Sequence, residues 1–93
     1  MNNDDGLIDA FCSITDPREM ERFFGEIFTP AEIDDLVLRW RLMRLLHRKT
    51  PQRRIAGELG VSLCKITRGS RVLRKKNAIS RKLLEKTQGV NDE

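Results

Sequence analysis

The chain of 93 residues is long enough for one domain but short for a lone hydrophobic core, so part of its stability is expected from a partner chain. With 39% hydrophobic and 34% charged residues it is globular rather than disordered, and no apolar run approaches a bilayer-spanning length. Its formal charge of +4 hides a division: residues 1–38 carry ten acids against two bases, whereas residues 39–82 carry fifteen bases against Glu58 alone, a net +14.

That division and the sparse chemistry narrow the function. The stretch Met1 to Gly6 is acidic where a signal peptide is basic and then apolar, so a cytoplasmic protein is expected. Cys12 and Cys64 form neither a CxxC pair nor a Cys/His cluster, and His47 has no second histidine, so no metal site and no catalytic set is expected. The protein is read as a non-enzyme. A block of charge +14 suits a polyanion, and its local pattern has to decide which one.

In chain order, the residues spell helices throughout and no period-two strand pattern, so the fold class is all-α. Leu7, Ile8, Ala10, Phe11 and Ile14 predict a short first helix. Asp16, Pro17 and Glu19 then supply an N-cap, an N1 proline and a capping-box acid for a second. Met20, Phe23, Phe24, Ile27 and Phe28 give that second helix an aromatic stripe, read as core. Thr29-Pro30-Ala31-Glu32 repeats the starting pattern for the longest helix, running to about His47. Ile33, Leu36, Val37, Trp40, Met43 and Leu46 line one of its faces, and Leu38, Leu42 and Leu45 widen it. A helix so broadly apolar is expected at the centre of a homodimer.

Thr50-Pro51 then predicts an N-cap and N1 proline for Gln52 to Leu59. Gly60 stands where a left-handed residue ends a helix, and Ser62 caps a second helix running from Leu63 to Leu73. Ala56 allows a close helix crossing, while Ile55, Leu59, Val61 and Ile66 fill the corner. The predicted unit, about residues 51–74 within a single domain of residues 1–93, is a helix-turn-helix. In a basic block it makes double-stranded DNA the expected partner.

The N-terminal part of the second helix nominates Leu63, Cys64, Lys65 and Thr67 for bases, with Arg53 reaching in as a guanine reader. Gln52, Arg54, Arg68, Arg71, Arg74, Lys75 and Lys76 are candidates for the DNA contact, chiefly for phosphates. A last helix is predicted from Ala78 to about Lys86, capped by Asn77 and burying Ile79, Leu83 and Leu84, with a polar tail after it.

Thr29-Pro30, Arg39, Gln52-Arg53, Glu58-Leu59-Gly60 and above all Ile66-Thr67-Arg68-Gly69-Ser70 resemble the tryptophan repressor family, over roughly Phe28 to Arg74. The resemblance implies an intertwined dimer of six-helix subunits that reads a pseudo-palindromic operator with L-tryptophan as corepressor. It implies a stacking role for Arg39 and a carboxylate contact for Arg68, with Thr29, Leu42 and Gly69 as further pocket positions. Val72 replaces a family hydroxyl near the ligand's amino group, Lys65 replaces a small hydroxyl residue, and the connection before Thr50 is one residue shorter. Three readings stand: a tryptophan-gated repressor, a DNA-binding regulator of the same fold with no small effector, and a helical protein-interaction module.

Overall fold

The computed structural model describes residues 4–91. It contains six helices in the order α1 (Leu7–Ser13), α2 (Pro17–Ile27), α3 (Pro30–His47), α4 (Gln52–Leu59), α5 (Leu63–Leu73) and α6 (Ile79–Asn91), and no strand among the described residues. The all-α expectation is met. The chain divides into two compact units, Met1–Asp35 and Leu36–Glu93, with the boundary inside α3.

In the first unit, short polar side chains fix the helix starts. The Asp4 carboxylate accepts from the Gly6 and Ile8 amides, each at 3.2 Å, and so anchors α1. Asp16 caps α2 by accepting from the Arg18 amide at 3.3 Å, with Pro17 at the first helical position. Thr29 and Glu32 form a full capping box: the Thr29 amide donates to Glu32 Oε1 at 2.8 Å, and the Glu32 amide donates to Thr29 Oγ1 at 3.2 Å. The aromatic stripe packs as expected. Phe11 of α1 meets Phe23 and Phe24 edge-on, with ring centres 5.2 and 6.0 Å apart, and Phe24 meets Phe28 at 5.2 Å.

The second unit is organised by Leu42, Ile55 and Ile66, buried residues contributed by α3, α4 and α5, with Leu45, Leu46, Ala56, Leu59 and Val61 packed around them. Helix α5 packs on both α4 and α6. Helix α3 ends at His47 as expected, but Thr50, read as the cap of α4, does not serve there. The Thr50 amide donates to the Leu45 carbonyl at 3.0 Å and the Lys49 amide to that of Leu46 at 2.9 Å, with Lys49 left-handed at φ 66°. This is a Schellman closure of α3. Thr50 is spent on the helix before it, and Pro51 stands at the N-cap of α4.

Helix α6 also differs from expectation. It begins one residue later than predicted and runs on to Asn91, because nothing near Lys86 forces a stop. Leu84 is fully buried, but Ile79 and Leu83 are 71% and 48% exposed, so two of the three residues expected in the core are outside it. They join Val37 and Trp40 of α3 among the exposed large apolar residues of this unit.

Candidate nucleic-acid interface

The corner between α4 and α5 is built by residues whose conformations leave little choice. Gly60 ends α4 at φ 64° and ψ 34°, a left-handed conformation that glycine adopts without a Cβ penalty. Two residues on, Ser62 is extended and its hydroxyl accepts from the Lys65 amide at 3.3 Å, starting α5. The connection is the predicted Gly60-Val61-Ser62. Ile55 and Ile66, on opposite sides of it, are both at 0% exposure, which fixes how the two helices cross.

With Ile66 and Gly69 buried, the rest of α5 is set by helical periodicity. Leu63, Cys64, Lys65, Thr67, Arg68 and Arg71 are exposed, and so are Arg74 and Lys75 just beyond the helix. Gln52, Arg53 and Arg54 are exposed in the first turn of α4. Lys76 is exposed as well, so all twelve nominated DNA contacts are accessible side chains of the second unit.

Two of them have local ties. Arg54 Nε meets Glu58 Oε1 at 2.7 Å in an exposed pair one helical turn apart. Such pairs contribute little and yield to a competing anion. The Thr67 hydroxyl donates to the Leu63 carbonyl at 2.9 Å, so its proton is committed to the helix and its methyl is left to face outward contacts.

The nominated ligand positions have a different character. Arg39 and Arg68 are exposed, Val72 is half-buried, and Leu42 is 3% exposed. Thr29 lies in the first unit, where its hydroxyl serves the α3 cap. At Gly69 a Cβ would stand 3.0 Å from Leu46 Cδ1, 3.3 Å from Met43 Sδ and 3.6 Å from Leu42 Cδ2. The missing side chain thus lets α5 approach α3 closely, and α3 side chains occupy the space it vacates.

Sequence reasoning missed Arg81. One of its Nη atoms donates to the carbonyls of Leu73 at 2.6 Å and Lys75 at 2.8 Å, and the other to Lys76 at 2.8 Å. The available signal was an arginine five to eight residues beyond a helix end followed by three consecutive bases, which is too loose a spacing to read as a cap.

Among the described residues no His, Cys, Asp or Glu cluster is placed to hold a metal, and no helix is long and apolar enough to cross a membrane.

Two short helices crossing over a buried corner, the second capped by serine and presenting basic side chains outward, define a helix-turn-helix protein. The family model described as "Trp repressor protein" matches residues 3–88, and the chain belongs to that family. The family is one of non-enzymatic, DNA-binding regulators. Among its relatives, a Trp operon repressor homolog of Xylella fastidiosa (strain M23) is 38% identical over 72 residues, covering 76% of this chain and 78% of the relative. Trp operon repressor homologs of Chlamydia trachomatis are 30% identical over 90 residues in serovar L2, covering 91% of this chain and 96% of the relative, and 32% identical over 78 residues in serovar D. No solved structure gave a significant match.

Proposed function

We propose that the chain is a sequence-specific transcriptional repressor that binds a pseudo-palindromic DNA operator as a homodimer, with residues 1–93 acting as one helical domain in the cytoplasm and L-tryptophan as corepressor. The observation that carries the reading is the α4–α5 corner, with Leu63, Cys64, Lys65, Thr67 and Arg68 exposed on the capped start of the second helix. Family membership and the repressor names of its relatives support it.

Within this reading Arg53 takes a guanine, and Leu63, Cys64 and the Thr67 methyl touch thymine methyl groups, with Lys65 beside them. Gln52, Arg54, Arg68, Arg71, Arg74, Lys75 and Lys76 hold phosphates and set register. Exposed Trp40, Val37, Ile79 and Leu83 support the dimer, since a second copy removes them from water. For the corepressor, Arg39 supplies a flat cation to stack on an indole and Arg68 a partner for a carboxylate, with Leu42, Gly69 and Val72 as the remaining pocket positions of the second unit.

One observation favours the second reading, a regulator of the same fold without a small effector. The space at Gly69 is taken by Leu46, Met43 and Leu42, and Val72 offers the ligand's ammonium group no hydrogen bond. Selection of operators from random duplexes, with and without L-tryptophan, separates the two. Paired half-sites about one DNA turn apart, enriched more strongly with L-tryptophan, are expected. Equal enrichment in both arms selects the effector-free regulator, and no enrichment of any sequence rejects both.

A further inference from the structure

Arg74, Lys75 and Lys76 place three cations in succession after α5, and Arg81 brings a fourth to the same turn. Like charges so close repel. The arrangement is held because Arg81 spends its charge on backbone: its side chain is 29% exposed, and its two Nη atoms give three hydrogen bonds of 2.6 to 2.8 Å to the carbonyls of Leu73, Lys75 and Lys76. Glu85 stands 4.0 Å from its Nε on the next turn of α6. One acceptor, the Leu73 carbonyl, closes α5 and carries part of that helix's negative end, so a cation bonded to it is favoured by the dipole as well.

We propose that Arg81 is a positioning residue for the DNA interface, fixing the turn after the recognition helix so that Lys75 and Lys76 are held in place for phosphates. The inference rests on the DNA-binding reading above. Two of the three carbonyls belong to the lysines themselves, so the guanidinium acts directly on the backbone carrying the phosphate-seeking side chains. The turn's own bonds, from the Lys75 amide to Val72 and from the Ala78 amide to Lys75, both 3.2 Å, are long, and Arg81 supplies the short ones. A turn fixed before binding loses less freedom on the DNA. Lysine cannot substitute, because its single ammonium lacks the planar fork that reaches three carbonyls from two nitrogens.

The test compares wild type, Arg81→Lys and Arg81→Met, each checked for native helicity, by binding to a random-sequence duplex across a salt series and by amide exchange at Lys75 and Ala78. Arg81→Lys is expected to weaken binding about tenfold, nearly as much as Arg81→Met, as for loss of a charge-assisted bond set. Both variants should speed exchange at the two amides. Lys75→Ala should then cost less in the Arg81→Lys background than in wild type, because the lysine is already unplaced. If Arg81→Lys binds like wild type, or if exchange is unchanged in the folded variants, the positioning role is wrong. Should the variants fail to fold, the wild-type guanidinium resonances decide: restricted rotation about Arg81 is expected, and a freely averaged signal overturns the proposal. Wild type that binds no duplex at low salt rejects the DNA reading and this role with it, whereas binding wild type with indifferent variants rejects the role alone.

Discussion

Arg53 and Lys75 are both exposed bases of the second unit, yet the proposed reading assigns them different work. Arg53→Ala is expected to cost about 1–3 kcal/mol at the preferred operator and to relax base choice at one position. Lys75→Ala is expected to weaken every duplex alike and to lower the salt slope by about one. Fluorescence anisotropy on operator and scrambled duplexes checks both, and an equal loss on the two duplexes for Arg53→Ala reverses its assignment. The glycines make a separate comparison. Gly57 has open space where a Cβ would go, so Gly57→Ala should stabilise by about 0.5–1 kcal/mol in thermal melts. Gly69→Val should destabilise by about 1–3 kcal/mol, since its branched side chain enters a contact already at 3.0 Å. At this scale Gly60 and Ser62 were legible in the sequence because each does its work within three residues. The contact of Gly69 with Met43 and Leu46 was not, because it joins residues more than twenty positions apart and no local pattern encodes it.

Among the elements, side-chain caps were easier to read than closures made by the backbone alone. Asp16, the Thr29–Glu32 pair and Ser62 cap the helices they were expected to cap, since each is a side-chain bond to an amide two or three residues away. The last residue of α3 was read correctly as His47, but its closure was illegible because the left-handed residue is Lys49 rather than glycine, and lysine carries no signal for that backbone. That conformation is costly for a residue with a Cβ. Lys49→Gly is therefore expected to raise stability by about 0.5–1 kcal/mol despite the greater freedom glycine gives the unfolded chain. Denaturant melts of wild type and variant check the sign, and a loss of stability would show that the Lys49 side chain contributes more than its backbone costs. Ser62→Ala should cost about 1 kcal/mol by the same measurement, and it should fray α5 at the end that carries Leu63, Cys64 and Lys65.

For the whole molecule, the surface left apolar is the main clue. Trp40 is 37% exposed and Ile79 71%, in a chain whose buried hydrophobic residues, among those described, are Leu42, Met43, Ile55, Ile66, Ala78 and Leu84. Such a core is thin for a stable monomer. Sedimentation at micromolar concentration is expected to show a dimer, and Trp40→Glu to dissociate or unfold it. A stable wild-type monomer under those conditions would falsify the shared-core argument. The all-α class and the helix-turn-helix were legible at this scale from periodicity and caps, whereas the exposure of Ile79 and Leu83 was not: hydrophobic pattern marks a residue for burial without saying which chain buries it. The second unit has a further consequence, in time. Leu42, Ile55 and Ile66 come from helices consecutive in the chain, joined by the short connections 48–51 and 60–62. Closing such small loops costs little chain entropy, and domains dominated by local contacts fold within about microseconds to milliseconds. Pairing of two copies is second order and slows with dilution. In the proposed dimer, then, the contacts of the reading head are made early but become lasting only on pairing, and the delay between synthesis of a chain and its first engagement with an operator is set by how soon it meets another.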